Sequence, residues 1–285
     1  MEKIFIINPK AGNGKALTIV NEIKNYCKEY NINSKFIFTK EAGEATNIAS
    51  SFKNQNVVVY SIGGDGTINE VINGLAYGKA YFNAISAGSG NDFLRTVENY
   101  EKEIFDIDLG KVNDRYFINS ASIGLDAEVC ANSILMKKNN VPKSQIYNAS
   151  LVYSIIKFSP YKIMINNVQD EITLLAFTNG MYYGGGYNIS PNAKLNDGFL
   201  NLVKANKLNK LTLLPVLIKL INANHYNDKN VENFKIEKMI IESEIALNYE
   251  LDGELFNDKK LDVKVEKNAL HYYNIDDLKC LKLSR

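Results

Sequence analysis

The sequence predicts an α/β protein in two parts: a doubly wound parallel sheet over residues 1–120, then an antiparallel β-sandwich over residues 121–270. Three observations carry this expectation. Apolar runs and helical periods alternate through the first 120 residues, the pattern of parallel strands joined by covering helices. From residue 161 onward, short alternating runs follow one another, as in a sandwich or barrel. The length, 285 residues, is too great for one small core and suits two modest domains. The tail, residues 271–285, is too short to stand alone and is expected to pack back on the first domain.

Residues 3–7 are a short apolar run, the first strand, followed by a glycine-containing turn and a helical pattern through Leu17, Val20, Ile23, Tyr26 and Cys27. Strands are expected at 35–39, 56–62 and 81–85, with helices at 44–52 and 68–75 between them. The run from Val57 to Ile62 is nearly unbroken in apolar residues, which fits a strand buried on both faces. Residues 105–112 and 115–123 read as a hairpin around Asn113-Asp114, and a helical stretch then runs to Pro160 with a break around 139–142. Further strands are expected at 161–166, 171–178, 199–204, 234–241, 244–250 and 261–266, interrupted by one helix at 209–221.

Composition excludes several classes. Thirty-three basic residues against thirty-two acidic ones leave a charge of +1, so no basic face is offered to nucleic acid. An apolar fraction of 46% and a charged fraction of 23% are ordinary for a globular chain. Cys27, Cys130 and Cys280 are odd in number and far apart, and His225 and His271 have no ligand-spaced companion, so neither disulfide framework nor zinc site is expected. The first residues carry charges ahead of only four apolar positions, too few for a signal peptide, and no later apolar run reaches the roughly 20 residues that span a bilayer. A cytoplasmic location is expected, with peripheral contact at the inner face of the membrane.

The chemistry sits in glycine clusters. The dinucleotide pattern G-x-G-x-x-G fails at Gly12, at Gly64 and at Gly88, where the sixth positions are Leu17, Asn69 and Phe93. A Walker loop fails at Gly14-Lys15, which has Pro9 and Ala16 where glycine and a hydroxyl are needed. What remains is Gly63-Gly64-Asp65-Gly66-Thr67, leaving a buried strand and opening a helix. Glycines let backbone N–H groups approach a ligand, and a helix N-terminus favours anions, so phosphate fits. Asp65 would repel phosphate unless a cation lies between them or the carboxylate handles a proton. The bland alternative is a strand-to-helix turn with Asp65 or Thr67 as cap. Two further loops, 8–14 and 87–92, follow the first and fourth strands, at the sheet edge where doubly wound folds bind ligands.

These segments carry a family likeness. Asn8-Pro9-Lys10-Ala11-Gly12-Asn13-Gly14-Lys15-Ala16, then Gly63 through Leu75, then Ala87-Gly88-Ser89-Gly90-Asn91-Asp92-Phe93 resemble the diacylglycerol kinase catalytic family, which includes bacterial lipid kinases and sphingosine and ceramide kinases. Gly185-Gly186, Pro191-Asn192-Ala193, Asn196-Asp197-Gly198 and Leu251-Asp252-Gly253-Glu254 continue the likeness in family order. The resemblance implies an ATP- and Mg2+-dependent transfer of the γ-phosphoryl group to a lipid hydroxyl, diacylglycerol-like, with the active site in the interdomain cleft. It implies a nucleotide site at Asn8, Pro9, Lys10, Ala11, Gly12, Thr39, Gly64, Asp65, Gly66, Thr67, Ile68, Asn69, Glu70 and Ser89. Ala11 stands where the family usually has serine, and Ser89 where threonine is common.

Glu254 matches the acceptor of the lipid hydroxyl proton, with Asp65 and Asp252 as the other catalytic carboxylates. Asp197, with the carbonyls of Lys194 and Phe199, matches a structural magnesium site, and Asp65, Asp92 and Asp108 match a magnesium–water network. Glu250, four residues before Glu254 and outside the motif, is expected to be nearly silent on substitution. Residues 144–158 read as an amphipathic helix beside Lys137, Lys138 and Lys143, either facing anionic lipid or packed on the sandwich. An NAD kinase or other small-molecule kinase sharing the Gly-Gly-Asp-Gly-Thr loop, and a non-catalytic nucleotide- or lipid-binding regulator, stay open. The expected partners are ATP and a lipid at a membrane surface, not nucleic acid, and a homodimer is compatible with the sequence.

Overall fold

The computed structural model describes residues 1–88, 91–139 and 143–275. Ser89, the end of the expected helix break at 140–142, Cys280 and the tail beyond 275 therefore lie outside the described residues. The chain forms two units, Met1–Leu109 with the chain from Glu266, and Gly110–Val265.

The first unit is built from β1 (Glu2–Ile7), α1 (Lys15–Glu29), β2 (Ser34–Phe38), α2 (Glu44–Phe52), β3 (Val57–Gly63), α3 (Asp65–Leu75), β4 (Tyr81–Ser86) and α4 (Asp92–Val97). β1 pairs in parallel with β2 on one side and β3 on the other, and β3 pairs in parallel with β4. The order β2-β1-β3-β4 is that of a doubly wound sheet. Every residue of β3 is buried, as its apolar run requires. Phe5 and Ile7 of β1 pack with Ile19, Val20 and Ile23 of α1 and with Val58, Tyr60 and Ile62 of β3, and Phe5 stacks between Phe36 and Tyr60. His271 and Tyr272 add a further parallel strand beside β4, and Tyr273 packs into the same core.

The second unit is antiparallel. After β5 (Ile104–Val112) and β6 (Arg115–Phe117) come β7 (Ser120–Gly124), α5 (Leu125–Lys138), α6 (Lys143–Lys157), β8 (Tyr161–Ile165), β9 (Val168–Thr178) and β10 (Leu200–Asn206). α7 (Lys210–Ile221), β11 (Val231–Ile236), β12 (Lys238–Leu251) and β13 (Glu254–Tyr273) complete it, β13 carrying the chain on toward the first unit. The strands run β11-β10-β9-β7-β12-β13, and β8 pairs with both β9 and β12, which curls the sheet into a sandwich. Its core joins Phe117, Ile123, Phe177, Leu202, Ile241, Leu251 and Val263. On the opposite face Leu174, Ala176 and Val203 pack against Leu213, Val216 and Leu220 of α7.

Several boundaries differ from expectation: the first unit ends at Leu109 rather than 120, the second at Val265 rather than 270, and the strand expected at 261–266 runs Glu254–Tyr273. The run 115–123 is two strands, because the chain bends at Ile118–Asn119 to give three amide donors to one carboxylate, described below. The run 234–250 divides at Glu237 rather than near 242, and β12 continues through an irregularity between Glu242 and Leu247. The helix expected at 68–75 begins three residues earlier, at Asp65.

Candidate active site

In the first unit the three glycine loops meet at the C-terminal edge of the parallel sheet. Asn8 N donates to Ile62 O at 3.0 Å and Ala87 N donates to Gly63 O at 2.8 Å, tying each loop to its neighbour through the backbone. Gly12 lies so close to the third loop that a Cβ there would run into the carbonyl oxygen of Ala87, and its φ of +59° is left-handed. A Cβ on Gly88 would press on the Cα of Gly64 at 3.0 Å. Only bare backbone can be brought together at this density.

α3 opens in the middle of this edge. Gly64 is its N-cap and has no side chain to offer, so neither Asp65 nor Thr67 stands in the cap position. Asp65 is the first helical residue, and Asn91 N donates to its Oδ1 at 3.4 Å. The first-turn N–H groups and the helix dipole make this end a seat for an anion. Asn8 Oδ1 accepts from Lys10 N at 3.0 Å, shaping the first loop, while Asn8 Nδ2 donates to Thr67 Oγ1 at 3.4 Å. Ala11 and Gly12 enter the short turn that ends at Gly14, directly before α1. Thr39, at the end of β2, is buried and donates to Ile7 O at 3.3 Å.

Some of the expected nucleotide residues serve the frame instead. Ile68 is a core side chain, and its N–H donates to Gly64 O at 3.1 Å within the helix. Glu70 accepts from Gly43 N at 2.9 Å and from Ala45 N at 3.0 Å, so its carboxylate caps the start of α2. Asn69 is buried and accepts from Asn73 Nδ2 at 3.1 Å.

The acidic residues expected around magnesium are separately engaged. Asp92 pairs with Arg95 at 3.4 Å, and buried Asp108 accepts from Asn268 N at 2.8 Å. Among the described residues no three His, Cys, Asp or Glu side chains are grouped so as to hold a metal ion. In the second unit Asp197 accepts from Phe199 N at 3.1 Å and pairs with Lys235 Nζ at 2.6 Å. One carboxylate and the carbonyls of Lys194 and Phe199 are hard oxygen donors of the kind magnesium takes, and the carboxylate already attracts a positive charge.

The Asp-Gly-Glu turn joins β12 to β13. Asp252 (φ 48°) and Gly253 (φ 87°) occupy the two central positions between paired Leu251 and Glu254, the backbone of a type I′ hairpin. Asp252, expected as a catalytic carboxylate, accepts instead from Ile118 N at 2.9 Å, Asn119 N at 2.9 Å and Ser120 N at 3.0 Å. Its oxygens are committed to backbone, so its part is to hold the turn. Glu254 leads β13 and is half-buried.

Glu250, expected to be nearly silent on substitution, is not the exposed side chain that such a control needs. It is buried, and its Oε2 accepts from Gly253 N at 2.7 Å, inside the turn that carries Glu254. It sits opposite Ser122 on β7, whose hydroxyl donates to Asp126 Oδ2 at 2.7 Å. Burial, reinforced by the neighbouring Asp126 charge, pushes the Glu250 carboxyl well above the usual range, and burial likewise raises Asp126. Cys130 lies beside them, its Sγ donating to Gly253 O at 3.6 Å, and its thiol is pushed up to about 12 by burial and then by the Glu250 and Asp126 charges. Strand alternation puts Glu250 on the face away from Tyr249 and Leu251, and only the packing of α5 over that face makes it interior.

Comparison with known proteins follows this geometry. Residues 2–136 match the model of the diacylglycerol kinase catalytic domain, and residues 119–273 match the YegS C-terminal NAD kinase beta sandwich-like domain. A diacylglycerol kinase of Bacillus subtilis is 27% identical over 232 residues, 75% of this chain and 76% of its own length. A diacylglycerol kinase of Staphylococcus saprophyticus is 27% identical over 269 residues, 88% of each chain. The crystal structure of a diacylglycerol kinase from Bacillus anthracis shares the fold, with a TM-score of 0.72, 23% identity and coverage of 97% of this chain and 98% of that one. The two matches overlap at 119–136 and together span residues 2–273, so the protein carries a diacylglycerol kinase catalytic domain and belongs to the family of the YegS C-terminal NAD kinase beta sandwich-like domain that follows it.

Proposed function

We propose that the protein transfers the γ-phosphoryl group of ATP to the hydroxyl of a diacylglycerol-like lipid, with Mg2+ as cofactor. The observation that carries this reading is the meeting of three glycine loops around the start of α3, where Gly64 is the N-cap and Asp65 the first helical residue. Backbone N–H groups of Gly12, Gly64 and Gly66 hold the ATP phosphates, with the 8–12 loop shaped by its own hydrogen bonds and Thr39 beside it. Magnesium, when bound, neutralises the phosphate charge that Asp65 would otherwise repel. Asp65, Asp92 and Asp108 would hold its waters, Asp92 and Asp108 in exchange for part of their contacts with Arg95 and Asn268 N, and Asp197 with the Lys194 and Phe199 carbonyls would hold a second ion.

In the transfer, the lipid oxygen bonds to the γ-phosphorus as the bond to the β–γ bridging oxygen breaks, ADP leaves, and the hydroxyl proton passes to Glu254. Because the transition state is loose, positioning counts for more than a strong base. Asp252 and Glu250 fix the backbone from which Glu254 reaches.

Labelled phosphate transfer from ATP, offered to diacylglycerol, monoacylglycerol, sphingosine, ceramide, undecaprenol, phosphatidylglycerol and NAD, tests the reading. Label on a lipid, lost on magnesium chelation, is the expected result. Label on NAD alone would transfer the reading to an NAD kinase, and label on nothing to a binding protein. Glu254→Gln should lower kcat by roughly 10²–10⁴ with ATP affinity unchanged. Exposed Glu244, on the same strand, replaces Glu250 as the silent control.

A further inference from the structure

Gly253, the residue before Glu254, is gripped at both ends of its backbone. Its N–H donates to Glu250 Oε2 at 2.7 Å, and its carbonyl accepts from Cys130 Sγ at 3.6 Å. Together with the three amides that Asp252 holds, these contacts fix the strand start from which Glu254 leaves. A neutral amide oxygen would serve as well as a carboxyl to hold one N–H. A carboxyl in that position calls for a further reason.

The reason lies in how Glu250 and Asp126 divide a charge. Asp126 accepts from Ser122 Oγ at 2.7 Å and from the Tyr183 hydroxyl, and it is only half-buried, so it carries the negative charge. Glu250 is buried, and its Oε1 meets no donor among the described residues. The one Ser122 proton is spent on Asp126, which leaves Ser122 Oγ, opposite Glu250 across the β7–β12 pairing, able to accept a proton from it. The charged groups facing Glu250 are Asp126 from α5 and Asp252 from the end of its own strand, both acidic. Cys130 of α5 stays a thiol under the same burial and charges, while β7 and β13 set Ser122 and Leu255 opposite Glu250. Neighbouring carboxyls in a low-dielectric space do not both ionise.

We propose that Glu250, protonated beside the Asp126 carboxylate, is a positioning residue for the transfer reaction, and that loss of its proton to solvent releases Gly253 and misplaces Glu254. The proposal rests on the reading of Glu254 as acceptor of the hydroxyl proton. An ionised Glu250 adds a second negative charge beside Asp126 and Asp252, and movement of the turn relieves it. Glu254 must be ionised to take a proton and Glu250 protonated to hold the turn, so the two govern opposite limbs of the pH–rate profile.

The test compares wild type, Glu250→Gln and Glu250→Ala from about pH 6 to about pH 9.5. Wild type should lose kcat at the alkaline end with the KM for ATP unmoved. Glu250→Ala should lower kcat about tenfold at neutral pH. Glu250→Gln keeps an acceptor for Gly253 N and cannot ionise, so it should recover most of that loss and flatten the alkaline limb. A merely structural part would change melting temperature without removing the limb. A flat wild-type profile, or the same alkaline limb in wild type and Glu250→Gln, would overturn the proposal.

A second readout needs no turnover. Hydrogen exchange of the Gly253 amide, corrected for its intrinsic rise with pH, should speed up about tenfold in wild type at the alkaline end and stay protected in Glu250→Gln. If no acceptor is labelled at any pH, the kinase reading fails by itself, and exchange alone decides whether the buried proton holds the turn. Equal protection of Gly253 in the two proteins at every pH would show that it does not.

Discussion

The two units build their chemistry from opposite materials. In the first, the ligand edge is backbone: glycines at 12, 63, 64 and 88 let three loops close on the start of α3, and the one acidic residue there, Asp65, opens the helix. In the second, the Asp252-Gly253 turn is held by carboxylates, with Asp252 receiving three amides and Glu250 a fourth. A backbone site fails when any atom is added to it. A carboxylate-held site fails when an oxygen is removed, and an amide of the same shape can partly restore it. The contrast therefore predicts which kinds of substitution each unit tolerates.

The largest effect is expected at Asp65. Asp65→Asn keeps the shape of the first unit's acidic residue and removes its charge, so transfer should fall by more than about 10³-fold while the melting temperature stays within a degree or so. Wild-type turnover in that variant would put the phosphate seat elsewhere. Gly12→Ala should come next, because the new Cβ meets the Ala87 carbonyl in a left-handed backbone. ATP affinity by calorimetry should drop about tenfold or more while Glu254 chemistry at saturating ATP is spared. Unchanged affinity would mean that the loops need not be so close.

In the second unit, Asp252→Ala leaves three amides without their acceptor and should cost roughly 3 kcal/mol or more in chemical denaturation, with Asp252→Asn recovering part of it. Equal losses in the two variants would show that charge, not the acceptor oxygen, holds the turn. The smallest effect belongs to Glu250. Its raised carboxyl keeps its proton in the folded state over a range where the unfolded chain has released it. Stability should therefore fall as pH rises above the ordinary carboxylate range, until the folded carboxyl also ionises. Glu250→Gln keeps an acceptor for Gly253 N and removes that titration, so its melting temperature should decline less than wild type between about pH 5 and pH 9. Parallel pH profiles would detach Glu250 from the buried acid pair.

Much of this contrast was legible in the residues themselves. Continuous apolar β3 announced a strand covered on both sides, and the glycine clusters announced tight loops at its end. Asp252-Gly253, between paired Leu251 and Glu254, takes two successive positive φ values, the I′ backbone that those residue types favour. Local pattern could not show that Ile118–Ser120 bends to feed Asp252, which lies more than a hundred positions away. Nor could it show the Asp197–Lys235 pair, whose members come from a loop and a distant strand.

Periodicity and turn chemistry are properties of neighbouring residues, so the strands, helices and loop conformations of this protein were determined by its sequence read locally. Whether a given face is then interior depends on which element passes over it. Alternation alone places Glu250 on a face opposite the sandwich core, and α5 makes that face a closed, low-dielectric space. The same rule leaves Leu211 and Ile218 bare, since nothing in the described chain covers the outer side of α7. Tertiary packing decided both, because burial, and with it the ionisation of a carboxyl or the stickiness of a leucine, is set by what lies against a side chain and not by what precedes it.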